Sequence, residues 1–120
     1  MNAKDRITMI GLVEEFARTE KGAFLREFDW KAVPFWTESD KCNVDSGTLG
    51  IYHAAEDTIG LMEVCDPALI ASTYVHELRH AYQRRKLGLF GYLLKKAVLR
   101  FVIEKEARQS ENDFEAWIKK

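Results

Sequence analysis

Apolar positions recur at helical spacing through the first part of the chain, at Ile10, Val13, Phe16 or Ala17, then at Phe24, Leu25 and Phe28. The pattern predicts an N-terminal helix within residues 5–28, interrupted near Gly22. The period then changes. Val33-Pro34-Phe35-Trp36-Thr37 is aromatic and β-branched and runs into the polar cluster 38–43, so it reads as a short strand followed by a loop, with Pro34 favouring an edge position. Residues 48–53 and 58–64 flank Ala54-Ala55-Glu56-Asp57 as the two arms of a hairpin. Together these segments predict a small antiparallel sheet.

Helical periodicity returns at Asp66-Pro67, where the aspartate caps free N–H groups and the proline suits the first helical position. A helix is expected over 67–86, with Gly88 available to end it, then a helical stretch over 90–100 and a last helix over 102–118. No linker, repeat or low-complexity segment divides the chain, and 120 residues suffice for one modest core. The expectation is a single α+β domain spanning 1–120.

Composition narrows the function classes. Apolar residues make up 47% and charged residues 31%, which excludes a disordered or coiled-coil chain. Eighteen basic residues against nineteen acidic ones leave a net charge of −1, so no global footprint for nucleic acid exists. Glu14 and Glu15 interrupt the apolar run near the N-terminus, and no uninterrupted apolar stretch reaches the length of a membrane span, which points to a cytoplasmic protein. Cys42 and Cys65 are too few for a disulfide scaffold and belong to no paired ligand spacing, so they read as structural thiols.

The candidate chemistry lies in His76-Glu77-Leu78-Arg79-His80. On a helix the four-residue step turns through about 400°, leaving both imidazoles on one face, one turn apart. They are spaced to share a Zn²⁺ ion, and Glu77, close by without being a natural ligand, stands where a general base is needed to take a proton from water. Ala71, Tyr74, Val75, Leu78 and Tyr82 form an apolar stripe away from the histidines, which would turn the latter toward a cleft. The bland alternative is two histidines on an exposed face beside a solvated glutamate. A catalytic site also needs a third protein ligand.

Glu104-Lys105-Glu106-Ala107 follows His80 after 23 intervening residues. It resembles the Glu-x-x-Ala or Glu-x-x-Ser element on the glutamate helix of gluzincins, the thermolysin-like metallopeptidases. The small size is similar to that of minigluzincins and of the minimal peptidase cores of ImmA/IrrE-type and phage-encoded proteins. The resemblance spans about 45 residues, from Ala71 to Glu115, and implies a zincin-like fold with His76, His80 and Glu104 as zinc ligands and Glu77 as catalytic base. Residue spacing agrees on Glu104: Ala107, one turn on, lets two helices approach closely, whereas Glu106 projects about 200° away. Two departures stand out. Arg79 sits inside the motif where zincins usually carry an uncharged residue, and Arg108 stands where many gluzincins place an Asp or Asn that holds a zinc-bound histidine.

By the same resemblance, residues 58–64 or 48–53 supply an edge strand that pairs with an extended substrate. Tyr82, Tyr92, His53 and Arg84 are the candidate donors for the oxyanion, and the sequence does not choose among them. His53 as a third metal ligand is the lesser reading, since a lone strand histidine is more often structural. Residues 87–103 are unusually apolar, with Lys95, Lys96 and Arg100 on one sector. Core packing is the first expectation for them and membrane-surface contact the second. The expected function is zinc-dependent hydrolysis of peptide bonds in a peptide or protein substrate. The alternative is a catalytically silent or self-inhibited zinc-binding regulatory module of the same fold.

Overall fold

The structure, a computed structural model, describes residues 2–38, 49–62 and 66–120. Helix α1 (Ala3–Phe16) is capped by Asn2, whose side chain accepts from the Asp5 N–H, and buries Met9, Val13 and Phe16. It ends earlier than periodicity predicted. The Thr19 hydroxyl donates to the Phe16 carbonyl at 2.7 Å, and the chain folds back so closely that a Cβ at Gly22 would strike that carbonyl. Only glycine fits there, and two 3-10 turns, Ala23–Glu27 and Trp30–Ala32, carry Phe24, Leu25 and Trp30 into the core.

Strands β1 (Phe35–Glu38), β2 (Gly50–His53) and β3 (Thr58–Met62) form one sheet in the order β1-β3-β2. The hairpin is as expected, with Tyr52 opposite Ile59 and His53 opposite Thr58. The sheet as a whole is mixed rather than antiparallel, because β1 joins β3 in parallel register, Phe35 beside Ile59 and Thr37 beside Leu61. Packing favours this placement: Trp36 lies across Gly60, where a side chain would collide with its ring, and stacks on His53 at 6.0 Å. Pro34 precedes an edge strand, as its missing donor requires. Ile59 and Leu61 face the helices and are buried.

Helix α2 (Pro67–Val98) begins with the Asp66 carboxylate accepting from the Ala68 N–H at 3.0 Å. It is broken at Gly88, whose φ of 74° lies in the left-handed region that glycine enters freely. Helix α3 (Arg100–Ile118) follows a non-helical Leu99 and returns along α2. Ala71, Tyr74, Val75 and Leu78 are buried, as their stripe predicted, while Tyr82 at its end is half-buried, and Phe16 meets Phe114 edge-on at 5.3 Å, tying α1 to α3. The hairpin turn is fixed to α2 as well. Asp57, at φ 55°, accepts from the Tyr52 hydroxyl and from both terminal nitrogens of Arg85. Arg85 and Tyr52 together outweigh the burial of this carboxylate and hold it below its usual range.

The apolar segment 87–103 departs from its expected place in the core. Tyr92 and Ile103 are buried, but Leu87, Phe90, Leu93, Leu94, Val98, Leu99 and Phe101 are exposed. The core is already filled by α1, the 3-10 turns and the inner face of the sheet. Cys42, Cys65 and the 39–43 loop lie outside the described residues, as do the outer ends of both hairpin arms, Thr48 and Val64.

Candidate metal centre

His76 and His80 project from one face of α2, one turn apart, with ring centroids 5.2 Å from each other. Glu104, in the second turn of α3, faces them: its Oε2 lies 3.4 Å from His76 Nε2 and its Oε1 3.2 Å from His80 Nε2. One donor atom from each of the three falls within 4.8 Å of the other two. A tetrahedral zinc site with bonds of about 2.0–2.1 Å has ligand atoms about 3.3–3.4 Å apart. The two histidine-to-carboxylate separations, each to a different Glu104 oxygen, are close to that edge length. Ala107, one turn beyond Glu104, is fully buried and gives α3 the close approach to α2 that the site needs.

Hydrogen bonds settle which imidazole nitrogen is offered. The Gln83 amide nitrogen donates to the Ile103 carbonyl at 3.0 Å and to the Glu106 carboxylate at 3.1 Å. Its oxygen is therefore the atom 2.9 Å from His80 Nδ1, so Nδ1 carries the proton and Nε2 keeps its lone pair. His76 Nδ1 donates in the same way to Glu111, at 2.6 Å. Both outer nitrogens are thus occupied by partners and both inner ones face the Glu104 carboxylate, the arrangement that orients histidine ligands in metal sites.

Burial alone would disfavour the His76 imidazolium, but the Glu111 hydrogen bond, with Glu77 and Glu104 close by, raises its pKa above the usual value. His80 is lowered, chiefly by burial, with Gln83 and Glu104 opposing. Glu77 is 6% exposed and takes no ligand position. Desolvation pushes it up to about 7, against the pull of His76 and with the added repulsion of Glu104 and Glu111.

His76, Glu77 and Glu104 open on a cleft of about 490 Å³ bounded by Leu49 and Gly50 at the start of β2, by Thr73 of α2, and by the Arg108 and Glu111 face of α3, while His80 lies buried behind them. The β2 backbone runs directly over the acid. A Cβ at Gly50 would sit 3.2 Å from Glu77 Oε2 and closer still to the Thr73 methyl. Because β3 is the central strand, the edge beside the cleft is β2, and the described part of the expected 58–64 arm, Thr58–Met62, is already paired on both sides.

Of the four candidate oxyanion donors, three are engaged elsewhere: Tyr82 donates to Glu27, Arg84 to the Ala54 carbonyl, and His53 stacks on Trp36. Tyr92 alone packs against a candidate ligand, its ring 6.3 Å from that of His80, and burial followed by Glu104 and Glu77 holds its hydroxyl protonated well above the usual tyrosine range. Arg79 points away from the centre, over the rings of Phe24 and Tyr82 at 4.7 and 5.0 Å, which explains how a cation is accommodated inside the motif.

Glu111 and Gln83 escaped the sequence reading. Glu111 lies seven residues, about two turns, beyond Glu104 and so on its face, and Gln83 lies one turn beyond His80. Helical phase was the available signal, and Arg108 had drawn attention to the wrong position. Replacing Glu111 by Ala is expected to weaken zinc binding about 10–100-fold, measured by competition with a chromophoric chelator, and Glu111→Gln, which retains an acceptor, to restore most of it. Equal affinity in wild type and Glu111→Ala would remove the positioning role.

Comparisons with protein-family models, with curated proteins and with solved structures found no match. The functional reading therefore stands on the site's geometry and chemistry.

Proposed function

We propose that this chain is a zinc-dependent metallopeptidase of zincin-like fold, built on the gluzincin pattern of two histidines and a glutamate from a second helix. One observation carries the reading: His76, His80 and Glu104 present donor atoms at zinc-site spacing, with the buried, non-ligand Glu77 alongside in a cleft bordered by an edge strand. The ion, when bound, supplies a Lewis acid that acidifies water and polarises a peptide carbonyl.

The chain's own residues do the rest. Glu77 accepts a proton from the attacking water and passes it to the departing amine as the carbon–nitrogen bond breaks, and its raised pKa suits both transfers near neutrality. Strand β2 orients an extended substrate by backbone pairing, and Gly50 keeps that track clear above Glu77. Tyr92 is the hydroxyl donor assigned to the developing oxyanion.

The test is cleavage of a peptide library by protein carrying one equivalent of zinc. Hydrolysis that ceases with a chelator and returns on adding Zn²⁺ is the expected result. Tight, stoichiometric zinc without cleavage would instead leave the silent zinc-binding module, and no retained zinc would remove both readings.

A further inference from the structure

The exposed apolar segment at the turn between α2 and α3 has a chemistry unlike the rest of the surface. Phe90, Leu94, Val98 and Phe101 are 86%, 67%, 69% and 70% exposed, and Leu93 and Leu99 are exposed beside them. Within the 89–98 part of α2, Phe90, Leu93, Leu94 and Val98 fall on one arc of about 140°, and Tyr92 faces inward. Such a stripe on a small domain marks an interaction site.

Charge says what kind. Residues 78–103 contain seven basic side chains, Arg79, Arg84, Arg85, Lys86, Lys95, Lys96 and Arg100, and no Asp or Glu, which leaves 11 of the 18 basic residues to offset all 19 acidic ones elsewhere. The near-neutral chain is thus strongly polarised. Arg85 and Lys86 are paired with Asp57 and Glu27. Lys95, Lys96 and Arg100, nearest the apolar stripe, form no ion pair among the described residues. On the helical wheel Lys95 sits about 60° beyond one edge of the stripe, within reach of a headgroup layer for a side chain that extends alongside a buried apolar face, whereas Lys96 lies nearer the inward-facing Tyr92 and its charge acts on the buried Glu77 and His80.

We propose that this α2–α3 apex docks on an anionic lipid surface, inserting Phe90, Leu94, Val98 and Phe101 among the acyl chains and setting Lys95 and Arg100 against the headgroups. A second copy of the chain fits poorly, since it would bring cation onto cation. None of the described helices is long and apolar enough to cross a membrane, so the contact is interfacial. The apex joins the two helices that carry the candidate ligands, and Glu104 lies one turn from Phe101. Docking would hold the cleft next to the lipid surface, where membrane-associated peptide segments are within reach.

The experiment is co-sedimentation of the full chain with vesicles of phosphatidylcholine alone or mixed with phosphatidylserine. Binding is expected to the mixed vesicles only and to fall as salt is raised. Phe90→Ser with Leu94→Ser, both at exposed positions, should abolish it. Lys95→Ala with Arg100→Ala, a pair that leaves the apolar stripe intact, should weaken it about 25-fold, at about fivefold for each cation. No sedimentation with the mixed vesicles, equal binding to neutral ones, or full binding by the Lys95→Ala/Arg100→Ala variant would overturn the proposal. So would a dimer in equilibrium sedimentation that Phe90→Ser dissolves, because the face would then belong to a second copy. None of these readouts depends on zinc or hydrolysis, so this proposal and the peptidase reading fail separately.

Discussion

Glu77→Gln is expected to lower peptide hydrolysis about 10²–10⁴-fold without loss of zinc, and to make the metal-free protein more stable above neutral pH. The first effect follows from removing the group that carries the proton. The second follows from burial. Desolvation raises the Glu77 pKa from 4.5 to about 7, so between those values the folded chain holds a proton that the unfolded chain has released. Stability of the metal-free protein then falls as pH rises through that window, and the full cost, about 3–4 kcal/mol, is present above it. Glutamine cannot ionise and escapes the penalty. In chelator near pH 8 the variant should melt roughly 9–13 °C above wild type, and near pH 4 the two should coincide. Coincident melting at the higher pH would contradict a buried carboxylate at Glu77, and undiminished hydrolysis by the zinc-loaded variant would end its role as base.

Chelator is expected to lower the melting temperature strongly near pH 7.5 and hardly at all near pH 4.5. Both imidazoles need an unprotonated Nε2 to bind zinc, and the Glu111 hydrogen bond that raises the His76 pKa makes protons better competitors there. Zinc at a thousand times its dissociation constant stabilises the folded state by about 4 kcal/mol, on the order of 10–15 °C for a chain of this length. That contribution is present at and above neutrality and disappears as acid protonates the histidines. Metal-free protein should slope the other way. His76, like Glu77, binds its proton more tightly when folded, so its contribution is present in acid and lost as pH rises through its raised pKa, with the depressed His80 opposing in part. The two curves therefore diverge toward neutral pH. A chelator effect of equal size at both pH values would contradict histidine ligation.

Local signals proved the most legible in the sequence. Asp66-Pro67 marked the start of α2, Gly88 its break, and the i, i+4 step between His76 and His80 placed both on one face. Glu104 was within reach through the resemblance of Glu104-Lys105-Glu106-Ala107 to the gluzincin glutamate-helix element, with which its one-turn spacing to Ala107 agrees. Non-local facts were not legible. A strand's direction relative to a distant partner leaves no mark on its own residues, so the parallel pairing of β1 with β3, through Trp36 over Gly60, could not be anticipated. Segment 87–103 was misassigned to the core for a related reason. Apolar content says how much surface a chain can bury, whereas α1 and the 3-10 turns decided which of it was needed.

The position of Glu104 on the far side of the Gly88 break has a topological consequence. An ion held by His80 and Glu104 ties together two points with 23 residues between them and so closes a ring in the chain. Closing a ring of that size removes conformational entropy from the opened state worth on the order of 3 kcal/mol, as a disulfide would, but by a bond that acid or a chelator can undo. The ring contains Gly88, Leu99 and every exposed apolar residue between them. An ion bound there would in this sense be a removable cross-link, adding to the packing of Ile103, Ala107 and Phe114 that already holds α3 to the core.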